Sequence, residues 1–199
     1  MITANTVRKE HQEALYSALH PGQHYVADIS GMMGIEASIM RHDVHTETCY
    51  EKAKILGWDD EPFRVVKALY FKDDLENTIG IIMPEIGNAL DTRRVLSETV
   101  PEYAPSGKRA KSFSLREPPA GMTRGTCTPF PLEGDIGNGI KAMIFCEYSP
   151  TMGKTVDISI GGYSEEHFRT SMHIRYEDIF RILDEKFGKC AVIRKHCID

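Results

Sequence analysis

The stretch FRVVKALYF, residues Phe63–Phe71, has a lysine in the middle of a largely apolar run. In a β-strand, successive side chains point to opposite faces, so Lys67 shares its face with Val65 and Leu69 rather than with Arg64. Lysine is almost never fully buried unless it is paired. The stretch therefore predicts either a solvated face or a pocket into which Lys67 points and in which it meets an anion.

The overall composition is that of an ordinary globular protein. The chain has 199 residues, of which 41% are hydrophobic and 27% charged, enough for one domain with a full core. No apolar run reaches about 18 residues and the N-terminus has no stretch of signal-peptide type, so we expect a cytoplasmic protein without a membrane partner. Five scattered cysteines without a CxxC pair predict neither a disulfide framework nor a metal site.

Charge is unevenly distributed along the chain. The formal net charge is -5, but the segment from Arg93 to Arg124 contains seven basic and only three acidic residues. A local basic edge on an acidic protein suits the end of an RNA better than a long duplex. On charge alone, a solvated loop of mixed charge is an equal alternative.

The first half of the chain predicts helices around one β-hairpin. The pattern first predicts a helix over residues 6–19 that HPGQ (20–23) breaks, and then a strand at GIEASIMRH. A second helix runs from a Thr46 cap to Leu56, with Gly57 at its end. The Lys67 strand, a strand at TIGIIMPE and a helix at LDTRRVLSETV follow, and this last helix is capped by Asn88 or Asp91 and stopped before Pro101. The polar turn KDDLEN joins the two consecutive strands into the hairpin.

The second half begins with a turn-rich stretch, residues 101–139, that holds six prolines. A loop of that length inside a compact domain is commonly functional. Strands at IKAMIFCEY, KTVDISIGG and RTSMHIRY follow, then a helix at YEDIFRILDEKFG closed by Gly188, and a last edge strand at AVIRKH. Strands outnumber helices, and the helices stand at the ends of strand groups, which predicts a mixed α+β domain rather than a doubly wound sheet.

Several motifs follow one another along the chain: a helix ending AKILGW, the lysine strand VVKALYFK, the pair IGIIMP and LDTRRV, the Gly-x-x-x-Pro loop GTCTPF, the turn ISIGG and the final helix YEDIFRIL. Their order resembles that of the YbaK / prolyl-tRNA-synthetase-associated editing domain family. The resemblance covers residues 42–188, and we expect a single domain over residues 1–199 with an N-terminal helical extension at 1–24. The resemblance implies a mixed, barrel-like β-sheet flanked by helices.

The resemblance also implies an activity, that of an aminoacyl-tRNA deacylase acting in trans. Such a protein hydrolyses the ester between a wrong amino acid and the terminal ribose of tRNA, without a cofactor and with help from the ribose hydroxyl of the substrate. Its partners would be the acceptor end of tRNA and an aminoacyl-tRNA synthetase. Two rivals stay open: a non-catalytic module of the same fold that binds a tRNA end or a synthetase, and a hydrolase of a different small ester.

The resemblance assigns the catalytic positions to Lys67, in the cleft, and to Gly125, which opens the loop that ends at Pro129. Lys67 would have no partner within the protein, because its anion would be the phosphate or ester end of the aminoacyl-tRNA. Backbone N–H groups of the loop would stabilise the oxyanion. Thr126 and Thr128 are candidates to position water or the ribose.

The other substrate-binding candidates flank these positions. Two glycines match a turn near the amino-acid pocket: Gly161 and Gly162. Three residues compete to contact the amino acid after that turn: His167, Ser171 and His173. Three more precede the helix that ends AKILGW: His42, His45 and Thr46. Of these, His42 best matches the histidine that usually precedes this helix, while the other two are alternatives that line the pocket.

Lys67 and Cys127 each have an interpretation in which the side chain takes no part in catalysis. Lys67 can be an edge-strand lysine whose aliphatic stem covers apolar surface while its charged head reaches solvent. Cys127 lies in the GTCTPF loop, but a cysteine nucleophile needs a nearby base, and no sequence feature supplies one. We therefore expect Cys127 to form part of the pocket wall.

Overall fold

The computed structural model describes residues 4–72, 77–87, 91–103, 114–115, 122, 125–131, 139–162 and 165–198. Its elements, in chain order, are α1 (Ala4–Ser17), α2 (Pro21–Met32), β1 (Ala37–Arg41), α3 (Cys49–Ile55), β2 (Val65–Lys72), β3 (Thr78–Pro84), α4 (Thr92–Thr99), β4 (Ser114–Leu115), β5 (Ile140–Tyr148), β6 (Thr155–Ser159), α5 (Glu165–Phe168), β7 (Thr170–Arg175), α6 (Tyr176–Ile182) and β8 (Val192–Ile198). A π-helical turn, Leu183–Phe187, continues α6. No helix in these ranges is long and apolar enough to cross a bilayer.

The strands form one mixed sheet. Seven of them lie side by side in the order β1-β7-β6-β2-β3-β5-β8, and the short β4 also pairs with β2. Strands β1 and β7, β6 and β7, β2 and β3, and β2 and β4 pair antiparallel, whereas β2 and β6, β3 and β5, and β5 and β8 pair parallel. A mixed sheet with flanking helices confirms the predicted fold class, and β8 lies at the edge of the sheet as predicted.

The alternation of side chains along β2 divides the hydrophobic core in two. Val66 and Tyr70 pack into a first cluster that includes residues of α2 and α6, whereas Phe71 packs into a second cluster with residues of α4. Each fully buried side chain of this size stabilises the fold by about 1.5–3 kcal/mol. Lys67 lies between Val66 and Phe71 in the sequence, on the same face of β2 as Phe71, and it is only half-buried.

The N-terminal region contains a helix that the sequence pattern did not predict. HPGQ ends the first helix, but it also starts α2, with His20 as N-cap and Pro21 at the first helical position. The side chains of His20 and Gln23 form a reciprocal capping box, with hydrogen bonds of 3.3 and 3.2 Å. Proline is favoured at this position because its missing N–H needs no partner there. α2 brings Val26 and Ile29 into the first cluster.

Helix α3 starts later than predicted because a different threonine caps it. Thr48, not Thr46, accepts a hydrogen bond from the Glu51 N–H at 3.1 Å, and the Glu51 carboxylate accepts one from the Thr48 N–H at 3.1 Å. This capping box needs an acidic or amide residue three positions after the cap, which Thr46 lacks. Gly57 follows the helix with a φ of 70°, as predicted.

Of the two residues predicted to cap α4, one lies within the described residues. Asp91 caps the helix by accepting a hydrogen bond from the Arg94 N–H at 3.1 Å. Asn88, the other candidate, lies outside the described residues. The helix ends before Pro101, as predicted, because proline disfavours the helical conformation in the residue that precedes it.

Candidate functional site

A cavity opens where one edge of β2 lacks a strand partner. β3 occupies one edge from Val66 to Lys72. The other edge pairs with β6 only at Val65 and Val66, and with β4 only at Phe71 and Lys72. Within the described parts of the chain, no strand pairs with residues 67–70 on that edge. The gap between β6 and β4 therefore leaves space beside the middle of β2.

The cavity has a volume of about 350 Å³, within the usual range for small-molecule sites. Its walls come from four parts of the fold: Val65–Tyr70 of β2, Thr46–Cys49 with Lys52 around α3, Gly125 with Cys127 in the GTCTPF loop, and Ser159 with Phe168. The walls are mainly apolar, and two of the lining residues carry an ammonium group, Lys52 and Lys67. Such a cavity suits a ligand with an apolar part and a few oxygen atoms.

Lys67 lines this cavity, but it has a partner within the protein. Its Nζ donates a hydrogen bond of 2.6 Å to Oε2 of Glu85. The expectation that Lys67 has no protein partner is therefore wrong. In the hairpin, Lys67 lies opposite Met83, so Glu85, two residues further on, is its diagonal neighbour on the same face.

The Glu85 carboxylate is held in its ionised form. Burial alone would raise its pKa, but the hydrogen bonds from Lys67 and from the Gly87 N–H outweigh burial and hold the pKa below its ordinary value. The hydrogen bond from Gly87 measures 3.2 Å and leads to Oε1, the oxygen that Lys67 does not use. Glu85 therefore fixes the position of the Lys67 ammonium at the cavity wall.

A polar network lies buried next to Lys52. Asp157, which has no exposed surface, accepts a hydrogen bond of 2.5 Å from the Ser171 hydroxyl, and its Oδ2 lies 2.5 Å from Nζ of Lys52. Nε2 of His42 lies 2.9 Å from Oγ of Ser171, and Nε2 of His173 lies 3.4 Å from Oδ1 of Asp157. Because the single hydroxyl proton of Ser171 is donated to Asp157, His42 donates its Nε2 proton to Ser171.

The charges of this network exclude a serine nucleophile. Burial alone would raise the pKa of Asp157, but Lys52, His173 and Ser171 outweigh burial and lower it, so the carboxylate is ionised. Burial lowers the pKa of His42, and the Lys52 ammonium lowers it further. In a catalytic triad the histidine accepts the serine proton. Here neutral His42 donates to Ser171, so Ser171 is not activated as a nucleophile.

The GTCTPF loop is fixed by hydrogen bonds from both sides. The Tyr70 hydroxyl donates to the carbonyl of Thr128 at 2.8 Å, which ties the loop to β2. The Thr126 hydroxyl donates to the carbonyl of Gly162 at 2.8 Å, which ties the loop to the predicted glycine turn. The loop is therefore tied both to β2 and to the glycine turn, and its residues Gly125 and Cys127 line the cavity.

Four of the sequence-predicted residues line the cavity: Thr46, Lys67, Gly125 and Cys127, the last of which was predicted as a wall residue. Two predicted histidines pack against residues next to it. The ring of His45 lies 4.8 Å from the ring of Phe168, between centroids, and His167 packs over Gly162. Of the three residues that compete to contact the amino acid after the glycine turn, Ser171 and His173 belong to the buried network, and His167 lies outside it.

The remaining predicted residues are buried: His42, Thr126, Thr128, Pro129, Gly161, Gly162 and Ser171. The hydroxyls of both threonines are engaged within the protein, Thr126 with Gly162 and Thr128 with the Phe130 N–H at 3.2 Å. The carbonyl of Gly161 accepts a hydrogen bond of 3.0 Å from Gln23 of α2. These residues hold the walls in place, and the structure does not bring them to the cavity surface.

Four charged residues of the site were not predicted from the sequence: Glu47 and Lys52, which line the cavity, and Glu85 and Asp157, which pair with its two lysines. The signal for Asp157 was present, because an aspartate in the middle of the apolar strand TVDISI is as unusual as a lysine in the middle of β2. Asp157 and Lys67 both mark places where a strand faces a charged partner instead of the core. Lys52 gave no such signal, since lysines are common on short helices.

Comparison with known proteins supports the fold and little else. No family model and no curated protein matches the sequence. A proposed trans-editing enzyme for prolyl tRNA synthetase matches in structure with a TM-score of 0.59 and 16% identity, covering 88% of this chain and 96% of that chain. The hypothetical protein APE2540 matches with a TM-score of 0.54 and 17% identity, covering 85% and 97%. The editing-domain fold indicated by the motif order is confirmed.

Proposed function

We propose that the protein is an aminoacyl-tRNA deacylase that acts in trans on mischarged tRNA. The observation that carries the proposal is that Lys67, Gly125 and the start of α3 meet at one mainly apolar cavity in the gap beside β2. Apolar walls with a few fixed polar groups suit an aminoacyl group. An ammonium group on the wall suits the phosphate or ester at the end of the tRNA. The fold shared with the proposed trans-editing enzyme supports the same activity.

In the proposed reaction, a water oxygen adds to the carbonyl carbon of the ester. The bond between that carbon and the ribose oxygen then breaks, and the ribose oxygen takes a proton, which yields the free amino acid and uncharged tRNA. Lys67, positioned by Glu85, anchors the substrate, and backbone N–H groups between Gly125 and Thr128 stabilise the oxyanion. The neighbouring ribose hydroxyl of the substrate positions the water.

A deacylation panel tests the proposal. Purified protein is mixed in excess with tRNAs mischarged with small, β-branched and aromatic amino acids, and the loss of each ester is followed under single-turnover conditions. We expect faster hydrolysis than in buffer for a subset of the amino acids, and uncharged tRNA should slow it by competition. No acceleration on any member of the panel would contradict the proposal.

A non-catalytic module that binds the end of tRNA is the second candidate. The pairing of Lys67 with Glu85 favours it, because a neutralised ammonium stabilises developing charge less than a free one does. The same panel separates the two candidates. Binding of uncharged tRNA without hydrolysis of any ester would select the binding module.

The proposed partner in either case is the acceptor end of tRNA. Within the basic segment, Arg93 and Arg94 lie in α4, and Arg94 pairs with Glu98 at 2.7 Å. The other basic residues that would meet the phosphates lie outside the described residues: Lys108, Arg109, Lys111, Arg116 and Arg124. The proposal of an RNA contact there depends on their charge alone.

Replacing Gly125 by valine is expected to lower the deacylation rate at least tenfold. Gly125 has a φ of 89°, and an added Cβ would lie 2.9 Å from the ring of Phe168, so the side chain would push Phe168 into the cavity or twist the loop. Gly153→Val is the matched control, because Gly153 has a φ of 74° but no atom within 4 Å of an added Cβ. Both variants carry backbone strain of about 1–3 kcal/mol.

The readouts are the melting temperature and the single-turnover rate of both glycine variants. Similar losses of stability with a rate defect only in Gly125→Val would place the loop at the reacting ester. Equal rates in the two variants would show that the loop takes no part in the reaction.

Replacing Cys127 by serine or alanine is expected to leave the deacylation rate within about tenfold, which corresponds to ~1.4 kcal/mol. Burial raises the pKa of the Cys127 thiol to about 11, so the thiol is protonated at neutral pH and is a poor nucleophile. Cys190→Ser, at an exposed site away from the cavity, is the control. If both Cys127 variants are inactive and Cys190→Ser is not, Cys127 is the nucleophile.

A further inference from the structure

Lys52 is the less exposed of the two lysines in the cavity wall. Its side chain is 11% exposed, against 34% for Lys67. Burial raises the pKa of the Cys49 thiol, and the charges of Lys67 and Lys52 both oppose that rise. Both ammonium groups therefore act on the same part of the wall, where the more exposed Lys67 is open to the tRNA and Lys52 is covered by the fold.

The charge of Lys52 is balanced, but its hydrogen-bonding capacity is not used up. Nζ lies 2.5 Å from Oδ2 of Asp157, although the contact does not have the direction of a regular hydrogen bond. In the described part of the chain, Asp157 is the one carboxylate that pairs with Lys52. An ammonium group has three donors, so Lys52 can still donate to a ligand oxygen in the cavity.

Stability alone gives little reason for an ion pair at this place. Taking two charges out of water offsets most of their attraction, and apolar residues of similar volume are often equally stable. The neighbouring cavity wall is mainly apolar, so a leucine or methionine at position 52 would fit it. A charged phosphate keeps contact with water and suits the more exposed Lys67, whereas Lys52, at 11% exposure, suits a neutral oxygen that enters the cavity.

We infer that Lys52 contacts the substrate and donates a hydrogen bond to an oxygen of the aminoacyl group, with Asp157 holding the ammonium in place. This inference rests on the proposed function. The oxygen has two possible sources, the ester carbonyl and a hydroxyl on the amino-acid side chain. Lys67, which is closer to solvent, then contacts the phosphate end of the substrate. The two lysines therefore contact different parts of the same substrate.

The test compares two variants that both lack the ion pair between Lys52 and Asp157. Asp157→Asn keeps Lys52 and removes its counter-charge, whereas the double variant Lys52→Met with Asp157→Asn also removes the donor without leaving a buried carboxylate unpaired. Both are assayed at a temperature at which circular dichroism shows them folded. The substrates are one tRNA charged with alanine and the same tRNA charged with serine, which differ by one hydroxyl oxygen.

If Lys52 meets the ester carbonyl, the double variant should hydrolyse both substrates about 10²–10³-fold more slowly than Asp157→Asn does. If Lys52 meets the side-chain hydroxyl, the loss should be confined to the seryl substrate. Equal rates of the two variants on both substrates would overturn the inference while leaving the deacylase proposal intact.

A binding measurement keeps the inference testable if the wild-type protein hydrolyses no mischarged tRNA, which would itself overturn the proposed function. The probe is adenosine with an alanyl or seryl group joined to its 3′ position through an amide, which keeps the carbonyl but resists hydrolysis. The double variant should bind at least one of the two probes tenfold or more weakly than Asp157→Asn does. Equal binding by the two variants, or no binding by the wild type, would overturn the inference.

Discussion

Replacing Lys67 by alanine is expected to slow single-turnover deacylation by about 10²-fold, because the substrate loses the anchor that positions its ester at the GTCTPF loop, and a misplacement of about 1 Å can cost that much. The ammonium is preorganised because Glu85 accepts its hydrogen bond at 2.6 Å. The stability of the fold should fall by only about 1 kcal/mol, since the pair keeps contact with solvent. Rapid-quench assays give the rate, and thermal melting gives the change in stability.

Glu85→Gln separates the role of the ammonium from the role of the ion pair. This variant keeps the Lys67 charge and a hydrogen-bond acceptor, so we expect it to retain most of the rate. Adding Glu85→Gln to Lys67→Ala should not restore the rate, because the lost group is the one that meets the substrate. A Lys67→Ala variant as fast as the wild type, at a similar melting temperature, would remove Lys67 from the mechanism.

Local patterns were enough to predict most of the fold. The alternation of β2, its antiparallel pairing with the next strand and the apolar stripe of α6 each depend on residues close together in the chain. The turn predicted between the two strands falls on residues 73–76, outside the described residues. The unpredicted helix α2 shows the limit, because Pro21 both breaks a helix and starts one. The choice between those roles depends on whether the next residues can pack, and Val26 and Ile29 pack against residues that are distant in sequence.

The candidate site was less predictable because its charges are paired across the sheet. Lys67 was visible as a lysine in an apolar strand, but its partner Glu85 follows from the register of the hairpin, which a sequence alone does not set. Asp157 of β6 forms an ion pair with Lys52 of α3, which lies 105 positions earlier in the chain. The sequence shows which charged residues lie within apolar segments, and the fold shows which charged residues pair with them.

Replacing Asp157 by asparagine is expected to lower the free energy of unfolding by about 3 kcal/mol, the lower end of the range for breaking a buried ion pair. Asparagine keeps an acceptor for Ser171, but Lys52 loses its counter-charge. The lower end applies because Lys52 lines an open cavity, where water can solvate part of its charge. Urea unfolding of the wild type, both single variants and the double variant with Lys52→Met measures the effect.

The double-mutant cycle and the pH dependence distinguish a lost ion pair from a general packing defect. If the pair carries the effect, the double variant should lose at least 1 kcal/mol less stability than the sum of the two single variants. The folded-state pKa of Asp157 lies below its ordinary value of 3.8, so its contribution is complete above that pH and is lost as the pH falls through the folded-state pKa. The stability difference between wild type and Asp157→Asn should therefore be constant near neutral pH and shrink in acid below the ordinary pKa. A difference that stays constant in acid would show that the ionised carboxylate is not what stabilises this part of the fold.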